Sequence, residues 1–176
     1  MDRCRKKLVI LLDCGDTLID EATEVKDESG ITLTADLIPG ADLLLKELKA
    51  RGYPLGLVAD GFAETFRNVL SRHGLWELFD ASAISELVGV EKPDPKIFLT
   101  ALDQLGCPET GDRSRVVMVG NNLSRDIRGA NGLGFTSVWL DWAPRRPKHP
   151  ADDLERPDYV IRLPIELLSV LESLEG

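Results

Sequence analysis

The first clear pattern in the chain is Leu8-Val9-Ile10-Leu11-Leu12, an unbroken apolar run stopped by Asp13. Short continuous apolar runs rich in branched side chains mark strands buried on both faces, as in parallel sheets. The same pattern returns in Leu55-Gly56-Leu57-Val58-Ala59, in Arg115-Val116-Val117-Met118-Val119 and in Thr136-Ser137-Val138-Trp139-Leu140. Weaker strand candidates lie at 79–84 and 158–161. Helical patterns fill the intervals. Pro39 and Gly40 introduce a helix with Leu43, Leu44, Leu45 and Leu48 on its apolar face, and Gly52 ends it. Others are predicted over 62–73, from Pro95 to Leu105, from a Ser124 cap to near Gly132 or Gly134, and from Pro164 through Leu174. Strands alternating with helices predict an α/β fold, a doubly wound, Rossmann-like parallel sheet with helices on both faces.

Two stretches fall outside this alternation. Residues 19–39 are mostly polar and acidic and read as a loop or small hairpin, too short for a second domain. Residues 143–157 hold four prolines and many charges, which predicts a surface excursion. The expected organisation is one domain over 1–176.

Composition narrows the setting. Thirty acidic against 21 basic residues give a net charge of −9, which disfavours nucleic acid and anionic membranes as partners. No apolar run approaches the roughly 18 residues that span a bilayer. The basic segment 1–7 precedes an apolar run too short for a signal peptide. Cys4, Cys14 and Cys107 have no metal-ligand spacing, so reduced thiols and a cytoplasmic location are expected. His73 and His149 are isolated, and the expectation for both is surface or local packing.

The chemistry gathers at the strand ends. Loops leaving the carboxyl ends of parallel strands share one edge of the sheet, where such folds bind their ligands. That brings together Asp13, Asp16, Asp60, Asn121, Asn122 and Asp126, with Lys92 arriving on the Glu91-Lys92-Pro93-Asp94-Pro95 turn. Several carboxylates in one cleft repel each other unless a cation is present, and oxygen ligands of this kind suit Mg²⁺. A lysine beside them points to an anionic ligand. Carboxylate nucleophile, magnesium and lysine together describe phosphoryl transfer through an aspartyl-phosphate. The plainer reading, polar turn residues of any α/β domain, accounts for Asn122 and Asp94 but less well for Lys92.

The stretches Asp13-Cys14-Gly15-Asp16-Thr17-Leu18, Leu57-Val58-Ala59-Asp60-Gly61, Gly89-Val90-Glu91-Lys92-Pro93-Asp94-Pro95-Lys96-Ile97-Phe98 and Val119-Gly120-Asn121-Asn122-Leu123-Ser124-Arg125-Asp126-Ile127 resemble the haloacid dehalogenase-like (HAD) hydrolase superfamily in type and order. The resemblance covers nearly the whole chain. It implies that Asp13 is the nucleophile and that Lys92 balances the charge of nucleophile and phosphoryl group. It further implies that Asp13, Asp126, Asn121 and the main-chain carbonyl of Gly15 hold Mg²⁺. Ala59 and Asp60 fall at the substrate-phosphate position.

The departures from the family pattern are equally specific. Gly15 stands where a second Asp usually protonates the leaving oxygen, which leaves Asp16 as the candidate acid. Ala59 replaces a phosphate-binding Ser or Thr, and Asn121 replaces the first acidic residue of the metal motif. Neither 19–39 nor 61–92 has room for a cap domain, so the resemblance implies a capless member. Relatives of that type act on large substrates or borrow a neighbouring subunit. The substrate class is therefore phosphorylated, small or macromolecular, and a homo-oligomer is left open. Two readings compete: a phosphatase of low or narrow activity, or a catalytically degenerate binding or regulatory domain. Asp13, Lys92 and Asp126 favour the first; Gly15 and Ala59 favour the second. Dehalogenase-like chemistry lacks the cap residues it would use.

Overall fold

A computed structural model describes residues 7–107 and 112–176. Strand β1 (Val9–Leu12) lies inside a six-stranded sheet ordered β5-β4-β1-β6-β7-β8. Its companions are β4 (Leu55–Ala59), β5 (Ala81–Ile84), β6 (Val116–Gly120), β7 (Thr136–Leu140) and β8 (Tyr159–Ile161). Every pairing in this sheet is parallel. The expected α/β architecture is the observed one.

The apolar runs work as the pattern required. Side chains alternate across a strand, so Ile10 and Leu12 enter one core while Val9 and Leu11 enter the other. On the first face pack α1 (Ala41–Ala50), α2 (Ala63–Arg72) and the C-terminal α6 (Leu167–Glu175), through Leu44, Leu48, Phe66, Val69, Leu167 and Leu171. On the second pack α4 (Pro95–Gln104) and α5 (Arg128–Leu133), through Ile97, Phe98, Ala101, Leu102 and Ala130. The short α3 (Ser85–Val88) links β5 to the Lys92 turn. Asp94 caps α4 by accepting the Lys96 N–H, with Pro95 in the first turn.

Three local expectations change. Leu43, assigned to the apolar face of α1, is exposed. The cap after β6 is Asn122, not Ser124: its side-chain oxygen accepts the Ser124 N–H at 3.1 Å. The turn that follows, Leu123–Ile127, has π-helical hydrogen bonding and leads directly into α5. Trp139 is buried beside Leu123 and Ile127, as expected of a core residue.

Residues 19–39 form an antiparallel hairpin, β2 (Ile19–Lys26) and β3 (Thr32–Leu37). It is docked rather than loose. Thr65 Oγ1 on α2 accepts the Thr32 N–H at 3.0 Å, Asn68 Nδ2 donates to the Thr32 carbonyl at 3.2 Å, and His73 Nε2 meets the Ala35 carbonyl at 2.8 Å. This fixes one face of β2 over the carboxyl edge of the main sheet. His73 thus has the local packing role expected of it.

Cys14 is a buried free thiol. Cys107 is disulfide-bonded, which corrects the expectation of three reduced thiols; Cys4 lies outside the described residues. Among the described residues, no helix is long and apolar enough to cross a membrane.

Candidate active site

The site is built at the carboxyl end of β1. The Asp13 N–H donates to the Val119 carbonyl at 3.0 Å, which carries the β1–β6 pairing one residue past the strand and fixes where the Asp13 side chain emerges. One carboxylate oxygen accepts the Thr17 hydroxyl at 3.2 Å, and the other faces the Lys92 ammonium at 2.7 Å. Lys92 Nζ also lies 2.8 Å from Asp126 Oδ1 and donates to the Val58 carbonyl at 2.9 Å. A buried ammonium has three protons to satisfy; two go to Asp13 and the Val58 carbonyl, and Asp126 adds its charge beside the third. Burial opposes its charge, but the carboxylates of Asp126, Asp13 and Asp60 outweigh it and hold its pKa above the usual lysine range.

Asp126 is fully buried. One of its oxygens accepts the Asn122 N–H at 3.0 Å; the other has no well-aligned hydrogen bond and only the Lys92 ammonium beside it. Burial, then the charge of Asp13, push its carboxyl up to about 7, with Lys92 pulling the other way. Gly120 makes this position possible, because a Cβ there would fall 2.2 Å from Asp126 Cγ.

Asn121 faces the same cleft with its side-chain Nδ2 buried and unpartnered. Its main-chain carbonyl accepts the Trp139 indole N–H at 2.9 Å. The oxygens of Asp13 and Asp126, one of them unsatisfied, fit a hard divalent cation of the Mg²⁺ type. No group of three or more His, Cys, Asp and Glu gathers as a metal cage among the described residues. Mg²⁺ does not need one, since it is usually held by one or two carboxylates together with water and substrate oxygens.

The cleft holds about 440 Å³ and is lined by Asp13, Asp60, Lys92, Asn121, Asn122 and Asp126 of the residues that the strand-end argument brought together, and by Gly15. Both oxygens of Asp60 are occupied: Oδ1 accepts the Lys92 N–H and Oδ2 an Arg125 N–H, each at 3.0 Å. Asp60 therefore positions the Lys92 turn, and Arg125 offsets its charge. Ala59 is fully buried and stands behind the cleft, outside its lining.

Asp16 is likewise outside the lining. It takes a left-handed backbone conformation, φ 52°, which Asp tolerates better than most residues. Its buried carboxylate accepts the Glu21 N–H at 3.1 Å and is gripped by the Arg145 guanidinium. The structure thus places the candidate acid in a brace that ties the Asp13 turn to the hairpin and to residues 143–157. Burial raises its pKa, against the Glu21 N–H and Arg145, which lower it.

Among the cleft residues that the sequence did not single out are Glu21 and Arg146, and Arg125 had no role assigned within its motif. Residues 143–157, expected to be a surface excursion, send Arg145 and Arg146 back to Asp16 and Glu21. Glu21 Oε2 lies 3.2 Å from an Arg146 nitrogen, while the Arg146 Nε is buried without a hydrogen bond. Burial, then the charges of Asp16 and Asp13, raise the Glu21 pKa, with Arg146 opposing.

A parallel α/β sheet with a lysine clamped between two carboxylates at its central strand ends defines a class, and the comparisons give it a name. The model of the haloacid dehalogenase-like hydrolases matches residues 10–134, and the chain belongs to this family. Among curated relatives, the glyceraldehyde 3-phosphate phosphatase of Methanopyrus kandleri is 39% identical over 146 residues, covering 81% of this chain and 60% of that one. The chain spans about half the length of the curated relatives it matches. A HAD phosphatase from Thermococcus onnurineus shares the fold with a TM-score of 0.75 at 23% identity, over 93% of this chain and 97% of that one. The putative HAD-hydrolase YfnB of Bacillus subtilis, solved bound to magnesium, is 27% identical with a TM-score of 0.65, over 77% of this chain and 56% of its own.

Proposed function

We propose that this chain is a magnesium-dependent phosphatase that hydrolyses a phosphate monoester through an aspartyl-phosphate on Asp13. The observation that carries the reading is the buried Lys92 ammonium shared between Asp13 and Asp126. A lysine so placed holds the Asp13 carboxylate in position and neutralises charge as a phosphoryl group arrives. A pure binding domain needs neither a nucleophile nor its fixed counter-charge.

The divisions of labour follow from the geometry. Asp13 supplies the attacking oxygen, and Thr17 holds the other carboxylate oxygen in place. Lys92 meets the phosphoryl charge, and Asp60 fixes Lys92 through its backbone N–H. Asp13, Asp126, the Gly15 carbonyl and the Asn121 amide are the groups that would hold Mg²⁺. When bound, the ion supplies charge neutralisation and orientation of the phosphoryl oxygens. The named activity of the Methanopyrus relative and the magnesium of the Bacillus structure both support this reading.

The substrate class is a small phosphorylated metabolite. A cleft of about 440 Å³, walled by the β2–β3 hairpin and by Arg146, has the size of a small-ligand site. In this reading the hairpin takes the place of a cap, and residues 1–176 form one HAD-like core domain.

The test is hydrolysis of a panel of small phosphate esters with and without Mg²⁺, with Asp13→Asn as control. Metal-dependent turnover by the unaltered protein and none by Asp13→Asn is the expected result. Equal background rates in both overturn it.

A further inference from the structure

We infer that Glu21, reaching in from the β2–β3 hairpin, is the general acid that protonates the leaving-group oxygen, in the space left open by Gly15. The inference deepens the phosphatase reading and rests on it. The alcohol of an ordinary phosphate monoester leaves as an alkoxide unless a proton is delivered as the P–O bond breaks.

The acidic side chains in and beside the cleft can be taken in turn. Asp13 is the nucleophile. Asp126 is held against Lys92. Both oxygens of Asp60 are occupied by the Lys92 N–H and Arg125. Glu24 accepts the Thr32 hydroxyl with one oxygen and pairs with Lys26 through the other. Asp16 is turned into its brace with Arg145. Glu21 remains. Its Oε2 is anchored by Arg145 at 3.4 Å and Arg146 at 3.2 Å, while its Oε1 has no hydrogen bond among the described residues.

That free oxygen points at Gly15. A Cβ built on Gly15 would lie 2.0 Å from Glu21 Oε1 and 2.9 Å from its Cδ. The carboxyl end of Glu21 therefore fills the volume that any side chain at position 15 would claim, two residues beyond the nucleophile. Gly15 reads less as a lost group than as the vacancy that admits one from another strand. The Glu21 side chain keeps 30% exposure, enough to exchange its proton with solvent between turnovers.

The step balances. Asp13 Oδ forms a bond to phosphorus, the bond from phosphorus to the ester oxygen breaks, and that oxygen takes the proton of the Glu21 carboxyl group. The alcohol departs and Glu21 is left as a carboxylate. A water molecule then attacks phosphorus and gives its proton to Glu21; the Asp13–phosphorus bond breaks, and phosphate leaves.

The experiment measures release of alcohol in a single turnover, enzyme in excess, for an alkyl phosphate and for 4-nitrophenyl phosphate. The nitrophenolate leaves without a proton, so it reports folding and nucleophile alone. Glu21→Gln, which keeps the side chain's size and its acceptor for Arg146, should slow the alkyl ester ~10²–10⁴-fold and the nitrophenyl ester less than about tenfold. Gly15→Asp combined with Glu21→Ala should recover at least about tenfold on the alkyl ester over Glu21→Ala alone. Equal losses on both esters, no loss on either, or no recovery in the double variant overturns the assignment. Absence of turnover by the unaltered protein, or full activity in Asp13→Asn, overturns the phosphatase reading itself and is thereby distinguished.

Discussion

Lys92 Nζ stands 2.7 Å from Asp13 Oδ1 across 79 positions of sequence, and the same nitrogen meets Asp126. One buried cation between two buried carboxylates makes the site interdependent, because each group is expensive to bury without the others.

Removing the cation should therefore cost stability as well as activity. Lys92→Met leaves Asp13 and Asp126 facing each other without their counter-charge. The expected loss is about 3–5 kcal/mol, read from urea denaturation, together with loss of turnover. A loss below about 1 kcal/mol would mean that the carboxylates are satisfied without Lys92.

Gly120 tests the same cluster from its backbone. A Cβ would meet Asp126 Cγ at 2.2 Å, against a rigid, fully buried side chain. Gly120→Ala should destabilise by about 1–3 kcal/mol and weaken Mg²⁺ binding in a calorimetric titration. Unchanged Mg²⁺ affinity would show that Asp126 need not hold its present position to bind the ion.

Mg²⁺ itself should raise the melting temperature. An ion that binds the folded state alone stabilises it by ~2.7 kcal/mol at a hundred times its Kd. For a chain of this size that is about 5–10 °C, reversed by a chelator and absent in Asp126→Asn. An equal shift in that variant would place the ion elsewhere.

Asp60 separates anchoring from charge. Asp60→Asn keeps an acceptor for the Lys92 N–H; it loses the pairing with a partly exposed Arg125, worth about 0.2–1 kcal/mol, and the smallest of the three carboxylate charges around the Lys92 ammonium. Asp60→Ala removes both contacts and should cost about 1–3 kcal/mol, with a lower kcat as the Lys92 turn loosens. Equal effects of the two variants, measured by denaturation and steady-state kinetics, would make charge the decisive part.

The sequence by itself determined the sheet and the centre of the site. Apolar runs such as Leu8–Leu12 must be buried on both faces, and parallel strands collect the residues at their carboxyl ends. Asp13, Lys92 and Asp126 were legible because each sits a fixed step from such an element. Only the tertiary structure decided how the rest of the cleft is closed. Arg145 meets Asp16 across 129 positions, and no local pattern encodes a contact set by how residues 143–157 fold back. The roles of Asp16 and Glu21 turn on side-chain direction within one tight turn and one docked hairpin. The left-handed backbone at Asp16 sends its carboxylate into the Arg145 brace, and the docking of the hairpin on α2 brings Glu21 to the bare face of Gly15. Spacing along a chain fixes which element a residue occupies, but packing between elements fixes what its side chain can reach.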